Sequence, residues 1–124
     1  MASALPPSEQ RLRRVFVVED ESMIADLIGF MLEDLGCEVA GVAGDLGEAM
    51  AMAEGVEADA ALLDVNLAGR EVFPVAERLA SRGMPLVFST GYGVGGLPPE
   101  WSGRPVLSKP FEQEDLAEAL ARAG

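Results

Sequence analysis

Four short apolar runs in this chain end in acid, hydroxyl or lysine side chains, types that together could do phosphate chemistry. Val15-Phe16-Val17-Val18 runs into Glu19-Asp20, Ala60-Ala61-Leu62-Leu63 into Asp64, Pro85-Leu86-Val87-Phe88 into Ser89-Thr90, and Val106-Leu107 into Ser108-Lys109. Lys109 is the only lysine, against eight arginines. An ammonium is a compact point charge and a guanidinium a planar fork, so a lone lysine after a strand suggests a cation kept for one purpose. Carboxylates brought together repel one another and need a cation. A hard divalent ion with oxygen ligands, Mg²⁺ or Mn²⁺, meets that need and leaves room for a phosphate. Glu19, Asp20 and Asp64 are the candidate ligands, with the backbone carbonyl of Asn66 as a further one. Asp64 is the candidate nucleophile, since a carboxylate can attack phosphorus to form an aspartyl phosphate. Lys109 and Thr90 would then meet the charge on the phosphoryl oxygens.

These residues work together only if the elements before them lie side by side. Apolar runs that end in acid read as buried strands. Between them, Ile24, Leu27, Ile28, Met31, Leu32 and Leu35 are spaced for one face of a helix that Ser22 can cap and Gly36 stops. Asp45-x-x-Glu48 has the form of a capping box for a second helix through Ala53. Val72, Val75, Ala76 and Leu79 mark a third, with Pro74 in its first turn, and a last helix starts near Glu112. Strand and helix alternate, which predicts a five-stranded parallel sheet, doubly wound, with helices on both faces. In such sheets sites form beyond the carboxyl ends of the strands. Residues 91–103 hold five glycines and two prolines, so a fourth helix there is expected to be short, irregular or absent.

Composition excludes several classes. The net charge of −12 and the lack of any long Lys/Arg run argue against nucleic-acid binding. The chain has no histidine, which removes Ser-His-Asp and Cys-His catalysis within one chain. One cysteine, Cys37, permits no internal disulfide. No apolar stretch is long enough to span a membrane. A cytoplasmic protein is expected, with residues 1–12 a flexible lead and residues 13–124 one domain.

The set Val17-Val18-Glu19-Asp20-Glu21, Leu62-Leu63-Asp64-Val65-Asn66, Phe88-Ser89-Thr90-Gly91-Tyr92 and Leu107-Ser108-Lys109-Pro110-Phe111 resembles the receiver domain of two-component response regulators, which has a flavodoxin-like fold. The resemblance covers about residues 13–123. It implies a phosphoprotein that takes its phosphoryl group on Asp64 from a histidine kinase or histidine phosphotransfer protein, with Mg²⁺. It also implies Asp20 as direct ligand, Glu19 acting through water, Thr90 and Lys109 on the phosphoryl group, and a cis Lys109-Pro110 bond. Such a protein catalyses only its own phosphorylation and dephosphorylation. Val106 stands where the family usually has an aromatic switch residue. Phe88-x-Thr90-Gly91-Tyr92 resembles a variant motif of stand-alone receivers, in which Tyr92 is the substitute switch candidate. With nothing after Gly124, output is expected by contact with a downstream protein, or as a phosphorelay intermediate or phosphate sink. The alternatives are a receiver-fold binding module independent of phosphorylation and, more remotely, a haloacid-dehalogenase-like phosphatase. The latter wants a second acid where Asn66 stands.

Overall fold

The computed structural model describes residues 13–91 and 97–123. Strand β1 (Arg13–Val18) leads to α1 (Ser22–Asp34), β2 (Cys37–Ala43), α2 (Leu46–Ala53) and β3 (Ala60–Asp64). A two-residue hairpin, β4 (Asn66–Leu67) and β5 (Arg70–Glu71), precedes α3 (Phe73–Ser81) and β6 (Leu86–Thr90). A 3₁₀ turn (Pro99–Trp101), β7 (Val106–Ser108) and α4 (Gln113–Ala123) complete the described chain. The main sheet is parallel throughout, in the order β2-β1-β3-β6-β7. The five-stranded doubly wound sheet is therefore present, with four α-helices among the described residues.

Successive side chains of a strand face opposite sides, so each apolar run supplies two cores. Phe16, Val18, Leu63, Leu86 and Phe88 pack with α2 and α3. Val15, Val17, Leu62, Val87 and Leu107 pack with α1 and α4. Every residue of β3 and β6 is buried. These central strands cannot shift by one residue without exchanging their faces, which fixes the level at which each one ends.

Local signals explain most helix ends. Asp45 caps α2, its Oδ1 accepting from Glu48 N at 2.7 Å, while Glu48 Oε1 accepts from Gly44 N at 2.7 Å. Pro74 lies in the first turn of α3. Gly36 and Gly83 have φ of 81° and 80°, the left-handed region where glycine ends a helix at little cost. Two expectations need correction. Ser22 is already helical, because Ala25 N bonds to Glu21 O at 2.9 Å and moves the cap position to Glu21. Leu27 is 49% exposed, since Ala25, Ile28 and Leu32 are the buried residues of α1.

Between β6 and β7 the described residues form only the 3₁₀ turn Pro99–Trp101. Trp101 is buried against Phe88 (centroids 5.7 Å apart, edge-on) and Phe73 (6.4 Å, stacked), and Arg104 lies over its ring. Val106 is half-buried on β7, paired with Phe88 and packed against this cluster. The trio ties the segment Pro99–Trp101 to α3 and β6. Replacing Trp101 with alanine should cost about 3–5 kcal/mol, measurable by urea unfolding; a loss below about 1 kcal/mol would show that the cluster does not anchor this segment.

Candidate functional site

Register brings the chemistry together. Val18 pairs with Leu63, Asp64 with Ser89, and Thr90 with Ser108. The residues at or just after those pairs, Glu19, Asp64, Thr90 and Lys109, therefore share one edge of the sheet. Backbone bonds extend the alignment past the strands: Glu19 N to Ala43 O at 3.0 Å and Lys109 N to Thr90 O at 2.9 Å. Lys109-Pro110 is cis.

Oxygens of Glu19, Asp20 and Asp64 all lie within 4.8 Å of one another. Glu19 and Asp64 are buried and Asp20 is half-buried. Lys109 Nζ sits 3.0 Å from Asp64 Oδ2 and 3.1 Å from Glu19 Oε1. One ammonium against three carboxylates leaves the cluster negative. Burial raises the Asp64 pKa from 3.8 to about 7, with the hydrogen bond from Lys109 opposing and the Glu19 charge adding to the rise. Burial works to lower the Lys109 pKa, but its contacts with Asp64 and Glu19 outweigh that and leave it raised.

The donors fit a hard cation. They are all carboxylate oxygens, the chain has no histidine, and Cys37 begins β2, away from them. Glu19 Oε1 is buried without a hydrogen bond, which leaves it available to a ligand beyond its ion pair. Asp64 Oδ1 accepts from Asn66 N at 3.3 Å, and Asp20 Oδ2 accepts from Ala68 N at 3.1 Å. The hairpin is thus fastened to the acid cluster at its start and at its turn. Its turn is held by Gly69 N donating to Asn66 Oδ1 at 2.6 Å, with Ala68 and Gly69 at φ of 52° and 90°. A cleft of about 750 Å³ opens over this edge, lined by Asp64, Asn66, Arg70, Phe73, Thr90 and others.

Of the residues singled out from sequence, Glu19, Asp20, Asp64 and Lys109 converge in one cluster, and Asn66 and Thr90 line the cleft beside it. Val106 lies away from the cluster, in the aromatic core. Tyr92 falls outside the described residues. The hairpin and Arg70 were not anticipated. The Gly69 turn was their one visible signal.

The family model for the response regulator receiver domain matches residues 15–121. The chain belongs to that family. Among curated proteins, this receiver is 33% identical over 115 residues to the transcriptional regulatory protein PdtaR of Mycobacterium tuberculosis, covering 90% of this chain and 56% of PdtaR. It spans about half the length of the curated relatives it matches. The solution structure of SdrG from Sphingomonas melonis is 41% identical with a TM-score of 0.79, over 89% of this receiver and 94% of SdrG. A BeF3-activated conformation of SdrG, from Pseudomonas melonis, is 42% identical with a TM-score of 0.75, over 87% and 92% of the two chains. Among the described residues, no helix is long and apolar enough to cross a membrane.

A carboxyl whose pKa is raised by folding stabilises the fold while protonated and costs stability as it ionises. The metal-free receiver should therefore lose stability as pH rises from 3.8 through about 7. Asp64→Asn should lack this component and be about 1–3 kcal/mol more stable than wild type at pH 8 without Mg²⁺. Thermal unfolding across that range checks both; equal curves for the two proteins would contradict the crowded-carboxylate description.

Proposed function

We propose that this receiver is a Mg²⁺-dependent phosphoacceptor: Asp64 takes a phosphoryl group from a histidine kinase or histidine phosphotransfer protein in the cytoplasm. One observation carries the reading. Asp64 is a buried carboxylate held 3.0 Å from Lys109 at the floor of a cleft that Thr90 also lines. A buried acid with a raised pKa beside a fixed lysine is poorly stabilised as a plain ion pair and well placed for charge-changing chemistry.

In the reaction an Asp64 oxygen forms a bond to phosphorus as the phosphorus–nitrogen bond of the donor phosphohistidine breaks, the electron pair returning to the imidazole. The missing histidine in this chain fits a donor residue on another protein. Glu19, Asp20 and Asp64 would hold the metal, which supplies positive charge to the phosphoryl oxygens. Lys109 moves its charge from the Asp64 carboxylate toward a phosphoryl oxygen, and Thr90 offers a hydroxyl to another. Asn66 N, already donating to Asp64 Oδ1, helps keep the carboxylate turned. The BeF3-activated state of SdrG supports the reading, because beryllium trifluoride on a carboxylate copies the shape and charge of a phosphoryl group.

Output is by contact with a downstream protein, or the receiver serves as a phosphorelay intermediate or sink. It turns over no separate substrate. The phosphatase alternative lacks its second acid, since Asn66 stands there and its side chain is committed to the hairpin turn.

Incubation with acetyl phosphate and Mg²⁺, followed by intact mass, should show a gain of one phosphoryl group that chelator abolishes and Asp64→Asn lacks. Lys109→Ala should slow the gain by about 10²-fold. No gain from acetyl phosphate, phosphoramidate or a phosphorylated histidine phosphotransfer domain would contradict the reading and favour a phosphorylation-independent binding module.

A further inference from the structure

Arg70 lines the same cleft as Asp64 and Thr90. It is the one cation among the described lining residues. It starts β5, pairs with Leu67 across the hairpin, and is exposed. Among the described residues its guanidinium makes no hydrogen bond, ion pair or ring contact. Among the described arginines only Arg122, on α4 and not part of this cleft's lining, is likewise without such a contact, and the other five are engaged. Arg13 donates to Leu120 O, Arg14 lies near Glu38, and Arg78 pairs with Glu54. Arg82 donates to the carbonyls of Ala53 and Val56, and Arg104 covers Trp101. Lys109, the other cation at this edge, is already shared between Asp64 and Glu19.

The backbone beneath Arg70 is held by hydrogen bonds, while its exposed side chain has no partner among the described residues. Ala68 N and Gly69 N fasten the turn to Asp20 and Asn66, and the side chain of Leu67 is buried below. A guanidinium is therefore presented from a tethered hairpin at the mouth of a cleft whose floor is anionic. Phosphoryl transfer raises the negative charge of that cleft: the charge of Asp64 is replaced by the two of a phosphoryl dianion, with no protein cation added. A planar fork of N–H donors suits two phosphate oxygens at once.

We infer that Arg70 is a specificity-determining residue, meeting the phosphate of the incoming donor at the cleft mouth and then an oxygen of the phosphoryl group on Asp64. The inference rests on the phosphoacceptor reading. With acetyl phosphate as donor, an Asp64 oxygen bonds to phosphorus, the bond between phosphorus and the acetyl oxygen breaks, and its electron pair leaves with acetate. Arg70 keeps its protons throughout and contributes charge and direction. Its effect therefore belongs in the capture of the donor rather than in the maximal rate. The effect should also grow with donor charge, being larger for acetyl phosphate than for phosphoramidate, which carries its own ammonium.

The test is the rate of phosphorylation of the full chain against acetyl phosphate concentration, with saturating Mg²⁺, for wild type, Arg70→Ala and Arg70→Lys. Arg70→Ala should raise the half-saturating donor concentration about 3–10-fold, with a maximal rate within about twofold of wild type. The difference should shrink at about 0.5 M salt, where charge attraction is screened. Arg70→Lys, which keeps the charge and loses the fork, should recover part of the effect. A purely structural role would lower the maximal rate or the unfolding temperature instead. Equal half-saturation in wild type and Arg70→Ala, or a fall confined to the maximal rate, overturns this inference and leaves the phosphoacceptor reading standing. A wild type that takes no phosphoryl group at Asp64 overturns both.

Discussion

The contact of Lys109 Nζ with Asp64 and Glu19, at 3.0 and 3.1 Å, is the interaction around which this molecule is arranged. Burying carboxylates beside one another costs free energy that a single ammonium only partly offsets. The cluster persists because each member is attached to a strand that has nowhere else to go. Glu19 follows β1, Asp64 closes β3, and Lys109 is bonded through its backbone to the last residue of β6. The apolar cores on both faces supply the stability that the polar edge forgoes. Local strain of this kind is what a site for charge transfer needs, since a fully satisfied cluster would gain nothing from a cation or a phosphoryl group.

That division of labour separates rigid from adjustable parts. The central strands β3 and β6 are buried along their whole length, so the positions of Asp64 and Thr90 are set by the core. The hairpin and the Trp101 segment are attached differently. Two backbone N–H groups donating to Asp64 and Asp20 fasten the hairpin, and an aromatic stack fastens the segment. A change of charge at Asp64 reaches the hairpin directly through those acceptors. The stack meets the same cleft through Phe73, which lines it. Val106, in place of a large aromatic, packs against the stack, so the bulk on this side of the sheet comes from Trp101 instead.

The strand-end residues were legible because β-strands of an all-parallel sheet are continuous apolar runs, and the polar residue that ends each run is conspicuous. The lone lysine and the capping box at Asp45 and Glu48 were legible for the same reason, being polar residues with one local geometry available to them. Leu27 shows the limit of periodicity. It sits at helical spacing with Ile24 and Met31, yet neighbouring Ala25 and Ile28 take the buried face. The hairpin left no periodic trace, because two-residue strands are shorter than any pattern and Asn66, Arg70 and Glu71 are all polar. Ala68 at positive φ gave no signal either, since the residue type does not favour that region. Trp101 could not be located from a glycine- and proline-rich stretch, because its partners Phe73 and Phe88 are distant in the chain.

The central claim is that this edge of the sheet exists to carry a phosphoryl group on one carboxylate. An acyl phosphate differs from a phosphoserine or a bound phosphate in being reducible: borohydride converts the phosphorylated aspartate to homoserine. Reduction of the phosphorylated protein, followed by peptide mapping, should place homoserine at Asp64 alone. Reduction of a phosphorylated Glu19 would give 5-hydroxynorvaline rather than homoserine, and that product, homoserine at Asp20 or at any position other than Asp64, or phosphate that survives borohydride as an ester, would contradict the account.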